Sequence, residues 1–184
     1  KVFLKVENKS LLEHLLIRLK KCKLADQIII ATTKSKTDQK IVKFCKKKNI
    51  FYFCGEEEDV LNRYYECSKA FKVKTIVRIT SDCPLSDPKL IDKTIKYFKK
   101  NSFEYVSNTT PNTESTFPEG SDIEIFTFKA LSKANSVVKN KNDREHVTHF
   151  FWKNKKINSK RINLKKNLSN FRYTLDYKED YKVI

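Results

Sequence analysis

Between residues 10 and 100 the chain alternates short, continuously apolar runs with segments of helical periodicity, and few folds tolerate that alternation. Gln27–Ala31 is apolar at its centre and ends in Thr32 and Thr33; Ile50–Cys54 and Thr75–Thr80 repeat the pattern. Between them, Ser10–Lys21 places Leu11, Leu12, Leu15, Leu16 and Leu19 on one helical face, with Ser10 and Glu13 spaced as a capping box. Asp38–Lys48, a helix from Asp59 to about Phe71, and Asp87–Lys100 with Pro88 at its first helical position complete the series. Runs without alternation suit strands covered on both faces, and short connections through helices imply right-handed crossovers and a parallel sheet. The expected class is α/β, and 184 residues suffice for one domain spanning 1–184 with a small excursion.

After Tyr105 and Val106 the pattern changes. A long polar loop, SNTTPNTESTFPEGSD, precedes DIEIFTF, whose strict alternation predicts a half-exposed strand with Asp122 and Glu124 on one face. Helices are expected over Lys129–Lys139 and around Arg144–Trp152, then a polar stretch containing Ile157 and Ile162. Phe171, Tyr173 and Leu175, spaced by two, predict a last strand ending at Asp176, with a helix opening at Tyr177 or Lys178. The chain begins at Lys1 with a helix and no strand before it, so a first strand is expected ahead of residue 1.

Charge excludes less than its size suggests. The chain carries 39 Lys plus Arg against 22 Asp plus Glu, a formal net charge of +17, which ordinarily points to a polyanionic partner. Yet the lysines are scattered, and groups such as Lys46–Lys48 and Lys99–Lys100 sit at helix ends where they complement the dipole. No stripe alternates cations with exposed aromatics. A basic nucleic-acid-binding module therefore stays only as an alternative. Cys22, Cys45, Cys54, Cys67 and Cys83 have no C-x-x-C pair or metal spacing and read as reduced thiols of a cytoplasmic protein; no signal peptide or membrane-spanning run is present in the sequence.

Two carboxylates terminate strands: Asp82 in TIVRITSDCPLSDP, and Asp176. Ligands of open α/β sheets bind at such strand ends. Asp87 before Pro88 already supplies the N-cap of the next helix, which leaves Asp82 unassigned. Two carboxylates suit a hard divalent cation, and Asp176 as a cap of the last helix is the competing reading.

Five segments in order, GEEEDVLNRYYECSKAF, RITSDCPLSDPKLID, YVSNTTPNTESTFPEGSDIEIF, DREHVT and FRYTLDYKEDY, resemble the spore-coat polysaccharide F-type cytidylyltransferases, relatives of the CMP-sialic acid and CMP-KDO synthetases. The resemblance implies a Rossmann-like nucleotide-diphospho-sugar transferase fold with a mixed, mostly parallel sheet. It implies Mg²⁺-dependent transfer of CMP from CTP to an acidic sugar with release of pyrophosphate, for surface polysaccharide biosynthesis. Another base or a sugar phosphate, as in guanylyl transfer, is the alternative within the fold. By the same resemblance Asp82 and Asp176 hold Mg²⁺, Lys1 ends a phosphate-binding loop, and Thr32, Thr33, Arg63, Thr80 and Ser81 line the nucleotide. Asp122 and Glu124 bond sugar hydroxyls, and residues 118–165 form a dimerisation and sugar-side excursion of a homodimer. Without the resemblance, Arg63 reads as an exposed helical charge paired with Asp59, and Asp122 and Glu124 as solvent-facing. Ser81 stands where relatives usually carry Gly.

Overall fold

The computed structural model describes residues 1–111 and 114–183. The chain divides into two compact units, one of Lys1–Asp26, Val77–Ile125 and Ser159–Ile184, the other of Gln27–Ile76 and Phe126–Asn158. The elements in chain order are β1 (Lys5–Val6), β2 (Lys9–Ser10), α1 (Leu11–Leu19), β3 (Ile29–Thr33), α2 (Gln39–Lys48), β4 (Phe51–Gly55), α3 (Val60–Ala70), β5 (Thr75–Arg78), α4 (Pro88–Lys100), β6 (Tyr105–Ser107), β7 (Glu124–Thr127), α5 (Phe128–Val137), α6 (Lys141–Glu145), α7 (His149–Lys153) and β8 (Ser159–Arg161). Strands β5, β7, β6 and β8 form one sheet in that order; β1 pairs with β2 and β3 with β4.

In the first unit, α1 starts where its capping box says it should. The Ser10 hydroxyl accepts from the Glu13 N–H, and the Glu13 carboxylate accepts from the Ser10 N–H. Leu11, Leu12, Leu15 and Leu16 are buried by that face. Helix α4 opens on Asp87, whose carboxylate accepts from the Lys89 N–H at 2.9 Å, with Pro88 following. Its buried face, Ile91, Ile95 and Phe98, packs with Val106, Ile123 and Ile125 in one cluster. Losing a side chain such as Ile95 from that cluster would cost about 2–5 kcal/mol.

In the second unit, β3 and β4 run parallel from Ile29 opposite Phe51 to Thr33 opposite Gly55, joined through α2 as the alternation requires. Helix α3 packs on α5 and α6. Arg144 of α6 fastens the three together: its guanidinium donates to the Asp59 carboxylate at the start of α3, to the Asn135 side chain and carbonyl, and to the Val138 carbonyl. The DREHVT motif thus has a structural part in Arg144.

Four expectations are corrected. Residues 5–10 form a tiny hairpin before α1, turned by Glu7 and Asn8, both at positive φ, so the helix does have paired residues ahead of it. The Arg144–Trp152 helix is two short ones, broken where buried Val147 takes φ 59° and the Thr148 N–H donates to the His146 carbonyl; helical dihedrals cannot continue through that residue. Phe171–Leu175 is not a strand: it makes one isolated bridge, Arg172 with Glu119, and Phe171 is exposed. A strand lies instead at β8, which pairs parallel with β6 although it reads SKR, because an edge strand needs backbone groups rather than apolar side chains. Finally, β7 is not half-exposed: Glu124, Ile125 and Phe126 are all buried.

Candidate active site

Strand β5 ends in a turn closed by the Cys83 N–H on the Thr80 carbonyl at 3.1 Å, and this turn holds Ser81 and Asp82 at the strand's carboxyl end. Two hydrogen bonds fix where the turn sits. The Asp82 carbonyl accepts from the Leu175 N–H at 2.8 Å and from the Thr174 hydroxyl at 3.2 Å. The residue after Leu175 is Asp176, so the two acids, far apart in sequence, are joined through their neighbouring backbone.

The loop before β7 closes the same corner. The Glu119 N–H donates to the Phe171 carbonyl and the Tyr173 N–H to the Glu119 carbonyl, laying residues 118–121 along 171–174. Gly120 makes this possible. It has φ 93°, and a Cβ there would lie 2.5 Å from the Thr174 nitrogen and 2.6 Å from the Tyr173 carbonyl carbon. Beyond it, the Asp122 carboxylate accepts from the Gly120 N–H at 3.0 Å and the Thr109 hydroxyl at 2.6 Å. The Cys83 thiol lies 3.7 Å from both the Asp82 and the Asp122 carboxylates. Burial, reinforced by Asp122 and Asp82, raises the thiol's pKa far above its ordinary value, so it is a protonated filler between two acids.

The two acids have different company. Among the described residues, the Asp82 carboxylate accepts only the weak Cys83 thiol contact, and it is half-buried. Asp176 is crowded: Lys1 Nζ donates to Oδ1 at 3.0 Å, while Arg172 Nη2 at 2.9 Å and the Thr174 hydroxyl at 3.3 Å donate to Oδ2. Burial opposes ionisation of Asp176, but the hydrogen bonds from Lys1 and Arg172 outweigh it and hold the carboxyl below the usual range. Asp176 does not cap the last helix. The chain after it forms only a short 3-10 turn, Asp180–Lys182, whose N-cap Glu179 makes no side-chain cap bond, while the Asp180 carboxylate reaches back to accept from the Asp176 and Tyr177 N–H groups at 2.7 and 2.8 Å.

Glu124 is closed off. It is 3% exposed, salt-bridged to Arg78, and accepts from the Tyr105 hydroxyl at 2.7 Å. Its side chain therefore faces neither solvent nor an open cleft. Ser81, by contrast, is exposed and is not among the residues at positive φ, so the turn requires no glycine there. Thr80 is half-buried on the same turn, its hydroxyl 3.5 Å from the Cys83 thiol.

Thr32, Thr33 and Arg63 belong to the second unit and form their own group. Both threonine hydroxyls donate to Asp38 Oδ2, at 2.8 and 2.7 Å, so Asp38 ties the end of β3 rather than capping α2. Burial opposes ionisation of Asp38, and the threonine hydrogen bonds overcome it, leaving its pKa lowered. Arg63 does not pair with Asp59, which Arg144 holds; its Nη1 donates to the Glu56 and Glu57 carbonyls. Its stem lies over Gly55, where a Cβ would fall 2.7 Å from Arg63 Cγ. The chain has only two glycines, and each stands at such a close approach, a signal legible in a sequence this poor in glycine.

The donor set around Asp82 and Asp176 is hard carboxylate oxygen, which suits Mg²⁺. Among the described residues no three His, Cys, Asp or Glu are placed to hold a metal ion, including His146 and His149, whose rings stack at 4.7 Å.

A family model described as Cytidylyltransferase matches residues 1–182. An uncharacterized protein of Methanocaldococcus jannaschii is 46% identical over 154 residues, covering 84% of this chain and 61% of that protein. The spore coat polysaccharide biosynthesis protein SpsF of Bacillus subtilis is 28% identical over 165 residues, covering 86% of this chain and 65% of its own length. The structure of a cytidylyltransferase from Leptospira borgpetersenii superposes with a TM-score of 0.92 at 32% identity, covering 98% of this chain and 76% of that one. The chain spans less than two thirds of the length of the two curated relatives. The chain belongs to the cytidylyltransferase family and has its Rossmann-like nucleotidyltransferase fold.

Proposed function

Starting from that membership, we propose that this chain carries the catalytic fold of an enzyme that transfers the cytidylyl group of CTP to a sugar, an acidic one in surface polysaccharide biosynthesis, with release of pyrophosphate. One observation carries the reading: the Asp82 carbonyl is hydrogen-bonded to Thr174 and Leu175, which brings the Asp176 segment to the end of β5. Asp82 and Asp176 are the residues that would hold Mg²⁺, and when bound the ion neutralises charge developing on the phosphates.

The chain's own residues do the rest. Lys1, bonded to Asp176 in the structure, supplies a flexible ammonium at the same corner for a phosphate oxygen. Asp122, anchored by Thr109 and Gly120, keeps the loop ahead of β7 in register with the Asp176 segment, and its lone pairs are the sugar-side acceptors of this reading. Thr80 and Ser81 present the turn to the nucleotide, and for Thr32, Thr33 and Arg63, within the second unit, the resemblance supports a nucleotide-binding role. Glu124 has no such role here, because Arg78 and Tyr105 occupy its carboxylate. Holding nucleotide and sugar together converts a bimolecular attack into one of high effective concentration.

Pyrophosphate release assayed with CTP, UTP, ATP and GTP against a panel of sugars tests the reading. Turnover with CTP alone and a sharp loss in Asp82→Asn, on the order of a hundredfold or more, is the expected result. Preference for GTP would move the assignment to guanylyl transfer, and full activity in Asp82→Asn would remove the cation site. A homodimer through residues 118–165 accompanies the proposal, and sedimentation at two concentrations checks it.

A further inference from the structure

Two cations touch one carboxylate at Asp176, and they are not equivalent. Lys1 Nζ meets Oδ1 and makes a single ion pair on the surface, its side chain 45% exposed. Arg172 meets Oδ2 and is fixed from two other sides: Nη1 pairs with Glu119 at 2.5 Å, and Nη2 and Nε approach the Asp180 carboxylate at 3.2 and 3.4 Å. Glu119 belongs to the loop that lies along 171–174, and Asp180 binds the N–H groups of Asp176 and Tyr177. The guanidinium thus holds three segments of chain in one planar fork, which an ammonium is not shaped to do.

We propose that Arg172 is a positioning residue for the cation site: it anchors Asp176 Oδ2, leaving Oδ1 as the oxygen presented to the divalent cation, with Lys1 as the group the cation displaces. The inference rests on the cation-site reading given above. Arg172 can do this without repelling the cation, because Glu119 and Asp180 more than balance its charge before Asp176 is counted. An outer partner that fixes the orientation of a ligating carboxylate typically changes metal affinity by about 10–100-fold. Lys1 has the opposite sign of effect, since it competes for the ligating oxygen.

Binding of Mn²⁺ alone, followed by the paramagnetic resonance of the free ion, tests this without any turnover. The series is the parent chain, Asp82→Asn, Asp176→Asn, Arg172→Met, Arg172→Lys and Lys1→Met, each first checked by thermal melting. Arg172→Met is expected to weaken Mn²⁺ binding about tenfold or more, with Arg172→Lys restoring only part of it. Lys1→Met is expected to bind Mn²⁺ at least as tightly as the parent. Parent-like affinity in Arg172→Met overturns the proposal, as does weakening by Lys1→Met to the same degree. If Arg172→Met does not fold, parent-like affinity in Arg172→Lys overturns the need for a fork. Binding unchanged by both Asp82→Asn and Asp176→Asn would instead defeat the cation site itself, and the inference with it.

Discussion

Two arginine–carboxylate clusters of the first unit are built from similar parts, one around Glu124 and one around Asp176, and they do opposite things. Arg78 and Glu124 meet where the carboxylate is 4% exposed, and the Tyr105 hydroxyl takes another of its lone pairs. Arg172 and Asp176 meet where the carboxylate is 39% exposed, and among the described residues its remaining oxygen accepts only from the Lys1 ammonium. A closed, desolvated pair can exchange nothing and serves to fix the sheet. An open one has an oxygen to offer. The same charges make structure or a site depending on how much water and free valence they retain.

Breaking the closed cluster is the largest expected effect. Glu124→Ala leaves Arg78 with its buried partner removed and is expected to cost about 3–5 kcal/mol in urea unfolding. A loss under about 1 kcal/mol would show that the cluster is less desolvated than its burial implies. Gly120→Ala comes next, because it joins a left-handed φ to a backbone overlap at Thr174. Its conformational part alone is about 1–2 kcal/mol, and since the loop must move off 173–174, catalysis should fall further than stability does. Equal small losses would mean that the loop does not organise the open cluster.

Acid separates the clusters more gently. Hydrogen bonds from Arg172, then from the Tyr177 and Asp176 backbone, depress Asp180 to about 2. A carboxylate whose folded pKa lies below its unfolded value of about 4 contributes stability that is present above pH 4 and is lost as pH falls toward 2. Carboxyl ¹³C titration should therefore place the Asp180 midpoint near pH 2, shifting upward in Arg172→Met. A midpoint near 4 in the parent chain would disconnect Asp180 from the fork. The smallest expected change is Ser81→Gly: the side chain is exposed and its φ ordinary, so stability should move by less than about 0.5 kcal/mol. A larger loss would assign the Ser81 hydroxyl a structural role.

Much of this was visible in the sequence where local physics decides. Ser10 with Glu13, and Asp87 with Pro88, located two helix starts, and the apolar runs located β3, β4 and β5. What misled was periodicity without partners. The alternation of 122–128 predicted a solvated face for Glu124, and nothing local announces that Arg78 and Tyr105 come to meet it. Phe171, Tyr173 and Leu175 have strand spacing, yet this segment spends its backbone on Glu119 and Asp82 rather than on a ladder. The break at Val147 depends on a positive φ that a β-branched residue adopts only under constraint from its surroundings.

By itself the sequence determined the α/β class and the principal helix starts, because each follows from propensity, capping or turn chemistry within a few residues. Tertiary structure alone decided which carboxylates are closed off. Glu124 was closed by burial and Asp176 left with a free face, and those fates depend on desolvation and on partners up to 175 positions away.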